Sequence, residues 1–362
     1  MLLNSGSMFS RELKLLIAAC RAAYSGGEIR LAADPVIRWD RLVRLAQRHR
    51  VEALCWNGLG DFKPGVPSRV ADGLAHATRQ TVSQGMSMAV EAGRLRQVFN
   101  GAGVDVIFVK GVTLGALAYP RPFLKMSMDL DLLVELDRLP DTCAILLNAG
   151  YGPVIPAAAG SKQIERWHQG RKESVWRHDD AGFQLDLHTR LADQPTMIPT
   201  LGMGSPRQLV IVAPGIELPT LAEDELFAYL CVHGASSAWF RLKWVCDLAA
   251  LLHGKDRRQV ERLYDRSQQL GAGRAAAQAL LVAHSVFGMS LADSFRQRLR
   301  ADPLNRWLAH VALRQMTADR EPTDRPLGTF GIHATQLVLA PGTANMVSEL
   351  ARQGRLVMGR AR

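Results

Sequence analysis

The chain has 362 residues and is 48% hydrophobic, which is enough apolar material for two ordinary domains, each with its own core. Its formal net charge of +10 favours polyanionic partners such as nucleotides, nucleic acid or an acidic peptide, although GC-rich codon usage raises arginine content by itself. Five scattered cysteines without a C-x-x-C pair exclude a disulfide scaffold, and the lack of 18 consecutive uncharged apolar residues excludes a membrane span.

The first hundred residues have a helical pattern. Residues 8–24 and 39–60 are amphipathic, and the apolar triplets of the second stretch do not share one face, which predicts a break near His49-Arg50. A long helix is expected over residues 67–100. The N-terminus lacks the basic region of a secretory signal, so a cytoplasmic location is expected, in agreement with the scattered cysteines.

Residues 101–220 alternate between strand and helix patterns. Val104–Val109 is a β-branched run typical of a buried strand, and Lys110-Gly111 ends it. This alternation predicts a small α/β domain. The elements expected after the first strand are a helix over 112–119, a strand over 125–134, a helix over 139–148, a strand over 182–188, and a short strand over 209–212 within a proline-rich loop.

The remainder of the chain is predicted to be helical from Leu221 to about Ala318, and its last part is predicted to be a loosely ordered basic tail because prolines and glycines recur there. The expected fold class is α+β, with a small mixed sheet between helical regions. The expected domains are a helical region over 1–100, the α/β domain over 101–220, a helical domain over 221–318 and the tail over 319–362.

Asp129 and Asp131 are the most informative pair of residues in the chain. Residues i and i+2 of a strand point to the same face, roughly 6–7 Å apart along the strand, so the two carboxylates converge there together with Ser127. Carboxylates held together in this way repel each other unless a cation lies between them, and hard oxygen ligands suit Mg²⁺. A surface strand with two exposed aspartates is the alternative.

Two further features favour a phosphate-handling site. Lys110-Gly111 lies at a strand-to-helix junction, where glycine lets a phosphate approach the backbone and lysine adds a positive charge. Asp186 shares one face of a later strand with His188, and a third carboxylate either completes a metal site or acts as a general base. His188 itself is either a neighbour of the metal or a hydrogen-bonded core residue.

Several motifs together resemble the uncharacterised nucleotidyltransferase family of bacteria, within the polymerase-β-like nucleotidyltransferase superfamily. The resemblance covers most of residues 40–255. The motifs are Leu45–Val51, Gly103–Tyr119, Lys125-x-Ser-x-Asp-Leu-Asp-Leu-Leu-Val134, Leu185-Asp-Leu-His188, Leu221–His233 and Trp239-x-Arg-Leu-Lys-Trp-Val-Cys-Asp247.

This resemblance implies nucleotidyl transfer assisted by two Mg²⁺ ions, with Mn²⁺ as a substitute and ATP as the expected donor. Asp129 and Asp131 would hold the ion that bridges the triphosphate, and Asp186 would bind the second ion and help to deprotonate the acceptor hydroxyl. Lys110-Gly111 stands where the superfamily has a Gly-Ser pair, and Lys125 replaces an arginine, which keeps the charge but loses the bidentate fork.

Arg241 and Lys243 lie on a predicted helix of the C-terminal domain. The functional interpretation is that they close over the nucleotide phosphates, and the alternative is an ordinary ion pair between Lys243 and Asp247 on the helix surface.

The predicted function is therefore Mg²⁺-dependent transfer of NMP from an NTP to a hydroxyl or phosphate of an unidentified acceptor, with release of pyrophosphate. The acceptor can be a small molecule, a peptide or protein encoded nearby, or tRNA. The alternatives are phosphoryl transfer to a peptide or small molecule on the same site, and a non-catalytic module that binds nucleotide or RNA.

Overall fold

The computed structural model describes residues 8–29 and 37–360. In chain order, the helices before the first strand are α1 (Arg11–Ser25), α2 (Trp39–His49), α3 (Glu52–Gly58) and α4 (Ser68–Gly101). The central elements are β1 (Ile107–Phe108), α5 (Val112–Ala118), β2 (Asp129–Leu133), α6 (Leu139–Asn148), β3 (Tyr151–Ile155), α7 (Ser161–Gly170), β4 (Glu173–His178), β5 (Gln184–His188), β6 (Arg207–Ala213) and β7 (Ile216–Leu221). The later helices are α8 (Glu223–Ser236), α9 (Leu242–Leu251), α10 (Arg257–Gln269), α11 (Gly273–Phe287), α12 (Asp293–Arg300), α13 (Pro303–Thr317), α14 (Phe330–Leu339) and α15 (Thr343–Arg360).

Contacts within the chain divide it into two units. The sheet unit comprises Gln80–Leu226, and the helical unit comprises the described residues up to Arg79 together with those from Phe227 onward. The divisions fall inside α4 and α8, because these helices continue from one unit into the other. Most of the predicted N-terminal and C-terminal helical regions belong to one unit, while residues 80–100 and 221–226 belong to the sheet unit. The division into four separate domains stays a prediction.

The sheet unit contains a five-stranded mixed sheet in the order β1-β2-β5-β4-β3 and a separate β6–β7 hairpin. Strands β2 and β5 are parallel, and the other neighbouring pairs are antiparallel. The α+β class and the mixed sheet are confirmed. The core below the sheet includes the fully buried side chains of Phe99, Leu132, Tyr151, Trp176 and Leu187.

One predicted strand is shorter in the structure, and three strands of the structure were not predicted. The first strand is only two residues long, because the chain leaves the sheet at Lys110-Gly111, and Gly111 has a positive φ of 68°. Strands β3, β4 and β7 were missed: their segments are polar or contain proline, and the burial that stabilises them comes from tertiary packing rather than from a regular sequence pattern.

The predicted break near His49-Arg50 is confirmed, since α2 ends at His49 and Arg50 caps it in the left-handed conformation with φ 56°. Residues 330–339 and 343–360 are helical, which differs from the loosely ordered tail that was expected. Pro341 lies between these two helices and Pro322 in a preceding turn, so the prolines delimit helices without interrupting them. Across residues 8–29 and 37–360, none of the helices has the length and apolar content needed to span a membrane.

Candidate active site

Strands β2 and β5 place three polar side chains together on one face of the sheet. Their parallel register pairs Asp131 with Asp186 and Asp129 with Gln184. Leu130 and Leu132 point to the opposite face, where they are 2% and 0% exposed, so the core fixes the orientation of the strand. The predicted convergence of Asp129, Asp131 and Asp186 on one face therefore follows from the pairing of the strands.

Asp131 is the most buried of these acids, at 2% exposure. Its Oδ1 lies 2.8 Å from Nζ of Lys110 and 3.1 Å from Nε2 of His188. Burial raises the pKa of the Asp131 carboxyl, but the charge of Lys110 and the hydrogen bond from His188 outweigh it and hold the pKa well below its usual range. Asp131 is therefore an anion in the folded protein.

Asp186 has the opposite electrostatic surroundings. Its Oδ1 accepts a hydrogen bond of 3.1 Å from Nε2 of Gln184. Burial and the neighbouring carboxylates of Asp131 and Asp129 raise the pKa of Asp186 to about 7. Asp186 is half-buried beside the fully buried Asp131, so an added cation would relieve the repulsion between the two carboxylates.

The residues of this cluster fit a divalent metal ion. Asp131, Asp186 and His188 each offer a ligand atom, and these atoms lie within 4.8 Å of one another. Oδ2 of Asp131 is buried and has no hydrogen-bond partner among the residues that the structure describes. A buried anionic oxygen without a partner is costly unless a ligand completes it, and carboxylate oxygens are suitable donors. Asp129 is outside this three-residue group, so its role as a ligand stays a prediction.

The Lys110-Gly111 turn lies beside the acids. A side chain at Gly111 would be in ordinary contact with the carbonyl oxygen of Asp129 at 3.6 Å and with Oγ of Ser127 at 3.8 Å. Thr113 stabilises the turn, because its hydroxyl donates to the carbonyl of Lys110 at 3.1 Å. The structure thus brings this turn and the start of β2 together, as the sequence predicted.

Lys125 and Ser127 precede β2 and are both largely buried, at 8% and 7% exposure. Nζ of Lys125 donates to Oγ of Ser127 at 3.4 Å. The two predicted nucleotide-binding residues therefore contact each other next to the acid cluster, and their contact with a nucleotide stays a prediction.

Arg241 and Lys243 belong to the helical unit. The guanidinium of Arg241 makes a bidentate ion pair with Glu321, with both nitrogen-to-oxygen distances at 2.7 Å, and lies over the rings of Phe240 and Trp244. Lys243 is in the first turn of α9. The predicted closure of these cations over the phosphates stays a prediction.

Sequence reasoning missed Glu173 and Lys172. Glu173 is paired with His188 across β4 and β5, and its Oε2 lies 3.3 Å from Nδ1 of that ring. Lys172 forms an ion pair with Glu173. Burial raises the pKa of Glu173, but the proximity of His188 and Lys172 lowers it below its ordinary value. The signal that could have revealed them is the alternation in β4, where Ser174 and Trp176 are fully buried and Glu173 points the other way.

Comparison with known proteins bears on these residues as a group. A family model described as an uncharacterised nucleotidyltransferase matches residues 35–288, which include the Lys110-Gly111 turn, all three aspartates and Arg241. No curated protein matches the chain. The matched range covers well over half of the 362 residues. The chain therefore belongs to the uncharacterised nucleotidyltransferase family.

Proposed function

We propose that the chain is a Mg²⁺-dependent enzyme that transfers NMP from an NTP, with ATP as the donor, to a hydroxyl or phosphate oxygen of an acceptor. A bond forms between the acceptor oxygen and the α-phosphorus, the bond from that phosphorus to the bridging oxygen breaks, and pyrophosphate leaves. The observation that carries the proposal is the parallel register that sets Asp131 beside Asp186, next to a buried carboxylate oxygen without a hydrogen-bond partner in the described part of the chain.

Asp129, Asp131 and Asp186 are the proposed holders of one or two divalent ions. When bound, such ions neutralise charge on the phosphates and favour ionisation of the attacking hydroxyl; Mn²⁺ can take the place of Mg²⁺. The support is the shared face of the three residues and the clustering of Asp131 with Asp186. Asp186 is in addition the proposed acceptor of the proton from the attacking hydroxyl.

Positive groups are proposed to bind the triphosphate. Lys110 lies beside the acids, and Gly111 has no side chain that would keep a phosphate oxygen away from the backbone of the turn. Lys125 and Ser127 are proposed to contribute from the start of β2. Arg241 and Lys243 complete the proposed set from the helical unit.

The acceptor is proposed to be a small molecule, a peptide or protein encoded nearby, or tRNA, and the +10 net charge is compatible with the anionic members of that group. A cytoplasmic location is proposed because the five cysteines are buried and free.

The test uses purified protein with Mg²⁺, an extract that contains protein, RNA and small molecules, and ATP labelled on either the α- or the γ-phosphate. We expect the α-label to enter one acceptor and the γ-label to remain in pyrophosphate. Asp129→Asn and Asp131→Asn should each lower transfer by at least about 100-fold, because each removes a charge that stabilises the transferring group. Asp141→Asn is the matched control, since Asp141 is exposed in the same unit.

Transfer of the γ-label alone would assign phosphoryl transfer to the site. Saturable ATP binding without any transfer, at the same affinity with and without Mg²⁺, would assign a binding module. Undiminished transfer by Asp131→Asn would refute the proposed mechanism.

A further inference from the structure

His188 lies on the buried side of the acid cluster. In the parallel pair it stands opposite Leu133, one step along the same face beyond Asp131 and Asp186. Its side chain is 2% exposed, whereas Asp186 is only half-buried. Asp186 and Asp129 therefore lie on the more exposed side of the cluster, and His188 lies on its buried side.

Nε2 of His188 contacts only one of the two oxygens of Asp131. It lies 3.1 Å from Oδ1, which also receives Nζ of Lys110 at 2.8 Å. Because an ionised carboxylate only accepts hydrogen bonds, Nε2 is the donor. Two donors on Oδ1 fix the plane of the carboxylate, and Oδ2 is left buried without a hydrogen-bond partner in residues 8–29 and 37–360.

The other ring nitrogen of His188 faces a second carboxylate. Nδ1 lies 3.3 Å from Oε2 of Glu173, which Lys172 holds in an ion pair. Five ionisable side chains thus lie in a row through the ring: Lys172, Glu173, His188, Asp131 and Lys110. The ring therefore lies between two carboxylates: Nε2 is hydrogen-bonded to Asp131, and Nδ1 is close to Glu173 without a hydrogen-bond partner among the described residues.

We propose that His188 is a positioning residue that holds Asp131 through Oδ1 so that Oδ2 faces the metal ion, and that Glu173 holds His188 in turn. This inference rests on the proposed function, because that function requires the metal. Groups outside the ligand set orient metal ligands in many sites, and their removal typically weakens metal binding by about 10–100-fold. The rival assignment, direct ligation of the metal by His188, satisfies the 4.8 Å clustering, but ligation through Nε2 would replace the hydrogen bond to Oδ1 of Asp131.

The experiment measures Mn²⁺ binding to the full chain by electron paramagnetic resonance, without nucleotide. We expect His188→Leu to bind Mn²⁺ about 10–100-fold more weakly than the wild type and Glu173→Gln about tenfold more weakly. His188→Gln should recover most of the loss, because its amide nitrogen can donate from nearly the position of Nε2. His168→Gln is the matched control: His168 is buried in the same unit, and its ring hydrogen-bonds to Thr189 and Ser174.

Pulsed measurements on the same samples detect any nitrogen bound directly to Mn²⁺. We expect none in the wild type. A nitrogen coupling in the wild type that disappears in His188→Gln would show that His188 is a metal ligand. An unchanged affinity of His188→Leu for Mn²⁺ would show that His188 has no role at the metal. Either result overturns the inference. If His188→Leu does not fold, the Gln variants of His188 and Glu173 decide the question by the same comparison.

The outcome for the proposed function is read separately. If the variants show the expected Mn²⁺ affinities but no α-label is transferred, the proposed function is refuted and the positioning role of His188 still holds. A wild-type chain that binds no Mn²⁺ would overturn both.

Discussion

Buried charged side chains have different surroundings in the two units. In the helical unit, Arg48 is 8% exposed, and its terminal nitrogens donate to the main-chain carbonyls of Gln315 at 2.7 Å and Met316 at 3.4 Å, in the last turn of α13. In the sheet unit, Asp131 and Asp186 lie side by side, and the pKa of Asp186 is raised to about 7. Charge balanced by partners stabilises a fold, whereas buried charge opposed by like charge marks the candidate site.

The largest expected effect on stability concerns Arg48, the buried cation of the helical unit. Arg48→Met leaves two main-chain carbonyls at a helix end without donors, at a cost of about 1–3 kcal/mol each, so we expect a loss of about 3–5 kcal/mol in the free energy of unfolding, measured by urea denaturation. Arg44→Met is the control, because Arg44 is exposed on the same helix α2. Equal stability of the two variants would show that the hydrogen bonds of Arg48 do not stabilise the helical unit.

The next effect concerns the packing that supports the Lys110-Gly111 turn. A Cβ at Gly115, in helix α5, would lie 2.8 Å from the carbonyl oxygen of Pro122. Gly115→Ala should therefore lower the unfolding free energy by about 1–3 kcal/mol. Gly101→Ala is the control, since a Cβ at that position would have no neighbour within 4 Å among the described residues and alanine favours the helix. An unchanged midpoint of urea denaturation for Gly115→Ala would mean that α5 can shift away from the Pro122 loop at no cost in stability.

Asp186→Asn tests whether the acids of the site store repulsion. In EDTA at pH 8 we expect this variant to be more stable than the wild type by about 1–2 kcal/mol, because it removes a half-buried charge that is repelled by the neighbouring carboxylates. Added Mn²⁺ should raise the melting temperature of the wild type and leave that of the variant nearly unchanged. A less stable variant in EDTA would contradict the contrast between the two units.

Glu12 gives the smallest expected effect and the clearest pH dependence. Burial raises its pKa, but hydrogen bonds and charge from Arg38 lower it to about 2, with Arg41 also in contact at 3.1 Å. Because the folded pKa lies below the ordinary value of 4.5, the stabilisation is complete above about pH 5 and is lost as the pH falls towards 2. Arg38 is 67% exposed, so screening limits the contribution to about 1–2 kcal/mol.

The measurement is the difference in unfolding free energy between the wild type and Glu12→Gln at pH 7, 5 and 3. We expect the difference to shrink between pH 5 and pH 3, whereas the exposed control Glu28→Gln should show little difference at any pH. A constant difference for Glu12→Gln would mean that the charge of Glu12 does not stabilise the helical unit.

The residues of the site that lie on the same strand could be predicted from the sequence. The i, i+2 spacing of Asp129 and Asp131, and the same spacing of Asp186 and His188, follows from the strand period alone. The apolar alternation of Leu130 and Leu132 fixes which face the acids take. The alternation in β4 indicates the face of Glu173, but only the pairing of β4 with β5 places Glu173 at His188.

The sequence by itself determined the α+β class, the aspartate face, the Lys110-Gly111 turn and the resemblance to a nucleotidyltransferase family, because all of these depend on residues close together in the chain. The tertiary structure alone decided the register that joins Asp131 to Asp186 and the opposite electrostatic environments of these two acids. It also decided the row of ionisable side chains on both sides of His188. These features depend on contacts between residues far apart in the chain, as in the Asp131–His188 hydrogen bond, and no local pattern encodes such contacts.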